Sequence, residues 1–213
     1  MQYLIPYAAA VALSPMPIAA LLLILLSKRA KLNSIFFMLG WLLGILLLVV
    51  VAMQFALTSD TTGPRTFAHF LNAGLGILLI LFALKQLHNR PKKGKTAKVP
   101  KWMSTIENFS PIKSFGIGIG LAIFNFKNMP MGIAAGVVMS EHVKTTAEMI
   151  MGLSFYVLLS GSTIIVPVFG FLFFGNKLQR IFKTLKEWLV SNNATIMFVL
   201  FLILGLLLLS KAF

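Results

Sequence analysis

The sequence predicts an all-α polytopic membrane protein: six transmembrane helices forming an inverted 3+3 repeat, with both termini on the outer side. Three observations carry that reading. Hydrophobic residues make up 58% of the 213 and charged residues only 11%, where a soluble domain carries about 25% charged residues. The mean hydropathy of +0.91 agrees. The apolar residues are gathered in long runs, such as 42–51 and 198–209, separated by short polar or basic stretches, as in successive membrane spans. Finally, the basic residues concentrate in alternate connections, which gives each span a direction.

The expected spans are 4–26, 34–57, 67–87, 114–139, 147–169 and 194–210, each close to the roughly 20 residues that carry a helix across about 30 Å of hydrocarbon. Span one has no Lys or Arg before it and exceeds a signal-peptide h-region, so it reads as a retained span. Pro15 and Pro17 fall near its middle. Each removes a backbone donor and clashes with the preceding turn, so this helix should open and free carbonyls near Val11–Leu13. Such groups cannot face lipid and must meet protein or water.

Span two is uninterrupted and carries Gly40 and Gly44 on one face, a spacing that suits close helix packing. In span three His69 sits near the outer boundary and Asn72 lies deeper, on the same interior path. Span four is the least uniform. Gly116, Gly118 and Gly120 precede Asn125-Phe-Lys-Asn-Met-Pro130, and Gly132 and Gly136 follow. In span five Ser160, Ser162 and Thr163 surround Gly161, which reads as a packing face, and Pro167 should kink it. Ahead of span six, the stretch 177–190 sets Leu178, Ile181, Phe182, Leu185, Trp188 and Leu189 at helical spacing with lysines between them. That pattern predicts an amphipathic helix lying in the membrane interface.

The charges complete the topology. The formal net charge is +14, from 19 Lys and Arg against 5 Asp and Glu. Lys28, Arg29 and Lys31 fill the first connection. Arg90, Lys92, Lys93, Lys95 and further lysines fill the third, and Lys177, Arg180, Lys183 and Lys186 the fifth. The second and fourth are neutral or acidic. The positive-inside rule then puts connections one, three and five in the cytoplasm. The expected organisation is a first three-helix repeat at 1–87, a basic cytoplasmic linker at 88–112, and a second repeat at 113–213. The linker is suited to anionic lipid headgroups, so its charge calls for no nucleic-acid partner. Ser14-Pro-Met-Pro-Ile-Ala-Ala20 in span one is echoed by Asn128-Met-Pro-Met-Gly-Ile-Ala-Ala135 in span four. Each opens a group of three spans. Two odd-numbered groups must enter the membrane in opposite senses, as in many secondary transporters.

Lys127 stands about 13 residues from each end of its span, near the bilayer centre, where an ammonium costs at least about 2.5–3.5 kcal/mol. No Asp or Glu lies deep in another span. Three readings follow: a receptor for an anionic group with Asn125 and Asn128 beside it, a proton-coupling lysine, or a span boundary that brings Lys127 nearer water. The candidate substrate-binding set is Lys127, Asn125, Asn128, Ser14 and Asn72. Pro15, Pro17 and Pro130 break helices, and Gly40, Gly44, Gly132, Gly136 and Gly161 pack them.

Enzyme chemistry finds no foothold. His69, His88 and His142 are scattered, and no nucleophile has a base at helical spacing. Glu141, His142 and Glu148 are too few for a metal site. The chain has no cysteine, which removes disulfides, iron–sulfur centres and thiol chemistry; no catalytic residue, metal or cofactor is expected.

The segment from Ile5-Pro6 through Ala12-Leu-Ser-Pro-Met-Pro-Ile-Ala-Ala20, with Asn33 and Gly40-Trp-Leu-Leu-Gly44, resembles the opening of the GAP or sulfolipid-1-addressing protein family, within the lysine exporter superfamily. Asn125-Phe-Lys-Asn-Met-Pro130 is similar to that family's Asn-x-Lys-Asn element, and the resemblance spans essentially the whole chain. It implies movement of glycolipids or related envelope components across the inner membrane toward the surface, with Ser14, Pro15, Pro17, Asn125, Lys127, Asn128 and Pro130 as the central constellation. The superfamily's electron carriers use paired membrane cysteines, so that branch does not apply. The expected function is transport of an anionic or amphiphilic envelope molecule, a glycolipid or lipid-linked precursor, with membrane lipids as surroundings. Two alternatives stand beside it: proton-driven export of amino acids or another small solute, and a non-transporting scaffold for a larger envelope-lipid exporter or synthase.

Overall fold

The computed structural model describes residues 1–58, 65–88, 109–125 and 127–210, with side chains described for all of these except 58, 65–72, 75, 176 and 208. The described residues are helical and contain no strand. They form α1 (Ile5–Ala12), α2 (Pro15–Leu25), α3 (Ala30–Thr58), α4 (Arg65–His88), α5 (Pro111–Ile123), α6 (Asn128–His142), α7 (Thr146–Phe174) and α8 (Gln179–Ser210). Short 3-10 turns cover Gln2–Leu4 and Gly175–Leu178.

Helix boundaries follow local chemistry. Ser110 caps α5 by accepting from the Lys113 N–H at 3.4 Å, and Pro111 occupies the first helical position, where a missing donor costs nothing. Thr145 caps α7 by accepting from Glu148 N, while the Glu148 carboxylate reaches back to Lys144 N at 2.9 Å. This is a close variant of the capping box. α7 runs through Pro167 and ends at Gly175, whose φ of +56° is disfavoured for any residue with a Cβ. α8 runs unbroken from Gln179 through the polar run Ser191-Asn192-Asn193 to Ser210, and within that run the Asn192 amide donates to the Trp188 carbonyl one turn back at 2.8 Å. The amphipathic stretch and the last apolar run thus share one helix.

The chain groups into two compact units, Met1–Ser59 with Val99–Glu187, and Asp60–Lys98 with Trp188–Phe213. In the first unit α3 is the central rod, and small residues let its neighbours close on it. A Cβ added at Gly40 would strike the Phe115 carbonyl, and one at Gly44 would fall 2.6 Å from Ala122 Cβ. One at Gly118 would strike the Phe37 carbonyl, whereas Gly116 and Gly120 meet nothing within 4 Å. Only Gly118 of that trio therefore serves the α3 contact. Further along α3, a Cβ at Gly132 would meet Leu48. One at Gly136 would lie 2.7 Å from both Ala52 Cβ and the Val49 carbonyl, and Gly161 of α7 closes on Leu42.

These pairings set directions. Residues 115 to 136 advance along α5 and α6 as residues 40 to 53 advance along α3, so all three helices run in the same sense. The Asn33 amide donates to the Phe109 carbonyl at 2.7 Å and ties the beginnings of α3 and α5 together. At the other end the Tyr3 ring stacks on His142, with centroids 4.3 Å apart. The start of α1 therefore meets the end of α6, and α1–α2 runs against α5–α6. In the second unit α4 packs on the last part of α8 through Gly76 and Gly205, with Phe82 6.0 Å from Phe201.

Ala30–Leu57, Thr146–Phe174 and Gln179–Leu207 are each long and apolar enough to cross a membrane. Gln2–Ala12 with Pro15–Leu25, and Pro111–Ile123 with Asn128–His142, pass as bent pairs, which makes up to five among the described residues. Large apolar side chains face outward along them, including Phe55, Phe124, Val166 and Phe173, as expected where lipid is the solvent. The sixth expected span, 67–87, coincides with α4, whose apolar part within the described residues is Gly76–His88.

Candidate functional site: two broken helices that meet

Both bent pairs break at the positions their prolines and amides mark. The first bends by 55° between Ala12 and Pro15, and the second by 68° between Ile123 and Asn128. Each break has an apolar outer side and a polar inner one. Leu13 and Phe124 are exposed, while Ser14, Lys127 and Asn128 are each 1% exposed.

The first break frees backbone acceptors, as two prolines one residue apart require. The Leu13 N–H still reaches Ala9 O, and Ser14 N reaches Val11 O. The Ala12 carbonyl is taken by the Thr163 hydroxyl of α7 at 2.7 Å. Thr163, read from sequence only as part of a packing face, is thus the donor that closes this break. Ser14 stands at the α2 cap position but makes no cap bond with its side chain. Its hydroxyl instead accepts from the Asn125 amide at 3.3 Å.

Asn125 is the joint between the breaks. Its Oδ1 accepts the Lys127 N–H at 3.2 Å, its backbone carbonyl accepts both Asn128 N and Met129 N at 2.9 and 3.0 Å, and its Nδ2 holds Ser14. These bonds absorb the first backbone donors of α6, and Pro130 has none to offer. α2 is equally short of donors, since Pro15 and Pro17 lack N–H groups. The half-helix ends that often hold anions in broken-helix transporters are therefore largely occupied or absent here.

What remains free is charge. Lys127 is among the largest fully buried side chains, and its Nζ has no hydrogen-bond partner among the described residues. The Asn128 Nδ2 donates to the Leu121 carbonyl at 3.4 Å while its Oδ1 is also unpartnered. An ammonium with neither counterion nor acceptor among the described residues is strongly destabilised, so Lys127 either meets an anion or ordered water or gives up its proton.

The structure thus brings Ser14, Asn125, Lys127 and Asn128 to one place, flanked by Pro15, Pro17 and Pro130. The Asn72 and His69 side chains lie outside the described residues, as does most of the linker 88–112. Tyr156 and Ser160 of α7, both 0% exposed with hydroxyls lacking a partner, add buried polar atoms. Tyr156 went unread in the sequence; its spacing of four residues from both Gly152 and Ser160 was the available signal. Among the described residues no group of three or more His, Asp or Glu could hold a metal.

The chain is thus a multi-pass helical membrane protein with two helices broken against each other around a buried lysine. More narrowly, the chain belongs to the family described as Sap, sulfolipid-1-addressing protein, whose model matches residues 4–213. No curated protein and no solved structure matches it.

Proposed function

We propose that the protein is an inner-membrane transporter, or transport component, that moves an anionic amphiphile such as a glycolipid or lipid-linked precursor toward the outer side, with Lys127 receiving the anionic group. The observation that carries this reading is the fully buried Lys127 side chain, its Nζ unpartnered among the described residues, at the meeting of two broken helices. The family's description names a sulfolipid-addressing protein, which fits an anionic lipid cargo. The opposed directions of α1–α2 and α5–α6 support an inverted repeat of three plus three spans, with α4 supplying the sixth. In the first unit, Lys28, Arg29 and Lys31 lie near the Asn33–Phe109 bond, which supports a cytoplasmic placement of that end and an outer placement of the Tyr3–His142 end.

The test is reconstitution of the purified full chain in liposomes carrying a fluorescent anionic lipid in one leaflet. Transfer between leaflets should be lost in Lys127→Ala and partly kept in Lys127→Arg. Unimpaired transfer by Lys127→Ala would refute the site. Absence of transfer by the unaltered chain, together with stable co-purification of a large envelope enzyme, would favour the scaffold reading.

A further inference from the structure

The α7 residues Gly152, Tyr156, Ser160, Ile164 and Val168 are buried at every fourth position, one continuous stripe. Two points locate it. A Cβ added at Gly152 would lie 3.0 Å from Met139 Cε and 4.0 Å from Leu4, at the end where Tyr3 stacks on His142. Thr163 bonds the Ala12 carbonyl at the first break. At the helical rise, Gly152 and Thr163 are about 16 Å apart, with Ser160 about 4.5 Å and Tyr156 about 10 Å beyond the level of Thr163. Both hydroxyls therefore stand between the break and the Tyr3–His142 end, in the layer bounded by α1, α6 and α7.

One helical turn apart, they are close enough to interact with one another, and neither has a further hydrogen-bond partner among the described residues. Packing alone does not select such a pair. Phenylalanine and alanine fill nearly the same space without a desolvated hydroxyl. Two donors, one helical turn apart and on the outward side of an unpaired ammonium, match the acceptor oxygens of a sulfate- or phosphate-type group.

We propose that Ser160 and Tyr156 form a second polar subsite that takes the oxyanion head group of the cargo after it leaves Lys127, on its way to the Tyr3–His142 end. This inference rests on Lys127 being the receiving group. The two hydroxyls bind by donation, and no covalent step is involved.

The complete absence of cysteine allows single thiols to be introduced without background. In proteoliposomes, Ser160→Cys and Tyr156→Cys are treated with a membrane-impermeant sulfonatoethyl thiosulfonate, and separately with its trimethylammonium counterpart. Thr146→Cys, exposed at the start of α7, is the reference. At a separation on the order of one helix–helix spacing, about 10 Å, an ammonium in a medium of effective dielectric about 20 concentrates a monovalent anion about tenfold. The same field depletes a monovalent cation to the same degree, so the anionic-to-cationic rate ratio at Ser160→Cys is expected about a hundredfold above the reference, and to fall to it when Lys127→Ala is added. Tyr156→Phe should lose transfer of the labelled lipid while melting at the same or a higher temperature.

A ratio equal to the reference, a thiol at 160 that reacts with neither reagent, or normal transfer by Tyr156→Phe would each overturn the subsite. If Lys127→Ala still abolishes transfer in that case, the Lys127 reading survives alone. Conversely, an anion-selective thiol at 160 whose ratio ignores Lys127→Ala, with transfer intact, would remove the Lys127 reading and with it the subsite as the step that follows Lys127.

Discussion

Replacing Thr163 by Val keeps the side-chain shape and deletes the one hydroxyl that satisfies the Ala12 carbonyl. In an unbroken helix that carbonyl would accept from Met16 N, four residues on, but the turn at Leu13–Ser14 carries Met16 into α2. Inter-helix hydrogen bonds within membranes are worth about 0.6 kcal/mol on average and about 1.7 at most. A buried carbonyl left unpaired costs about 1–3 kcal/mol. The 2.7 Å bond to an acceptor with no helical donor belongs at the upper end, so Thr163→Val should destabilise the protein by about 1–2 kcal/mol. The control is the same substitution after Pro15→Ala and Pro17→Ala. With both N–H groups restored the helix can run on and Met16 can reach Ala12, so the cost of losing the hydroxyl should drop close to zero, a coupling of about 1 kcal/mol. Unfolding in detergent–lipid micelles titrated with dodecyl sulfate, followed by tryptophan fluorescence, measures all four corners of this cycle. Equal costs in the two backgrounds would refute the claim that Thr163 serves the break.

Two further substitutions separate the roles of other residues. Asn125→Asp retains an acceptor for the Lys127 N–H, and the Ser14 hydroxyl can turn to donate to it, so melting should change little. A carboxylate beside Lys127 should nevertheless weaken anionic-lipid binding at least about tenfold, read by quenching of a labelled lipid; unchanged affinity would count against charge as the attractant. Gly136→Ala would press a methyl against the Val49 carbonyl and Ala52 and should cost about 1–3 kcal/mol. Gly116→Ala, which meets nothing within 4 Å, should be neutral or gain up to about 1 kcal/mol from helix propensity. A comparison of melting temperatures checks both, and similar losses would undo the assignment of the α3 seam.

The breaks were legible because paired prolines, or a polar run ending in one, act within a single turn: Pro15 with Pro17, and Asn125 through Pro130, mark the breaks, whereas α7 runs through the lone Pro167. The burial of Lys127 was legible for the same reason, since its depth follows from counting residues within an apolar run. The partners were not. The Thr163 bond joins residues 151 apart in the chain, and the Asn125–Ser14 bond joins residues 111 apart. A threonine beside Gly161 looks alike to local rules whether it packs or donates. The division among glycines was hidden too, because 116, 118 and 120 share a composition signal while only 118 points at α3. For α8 the polar run 191–193 reads as a boundary from hydropathy alone, whereas none of these residues removes a backbone donor and the helix continues through them.

Asn125 has one more consequence. By taking up the opening donors of α6 while prolines delete those of α2, it leaves the meeting point with a flexible point charge and no rigid fork of N–H groups. A lysine attracts any compact anion but does not measure its outline, unlike a bidentate guanidinium. Under the proposed reading the meeting point is therefore permissive toward head groups, accepting sulfate, phosphate and carboxylate on similar terms. Discrimination among cargoes then falls to the Tyr156–Ser160 pair and to whatever grips the rest of the molecule, away from the point charge itself.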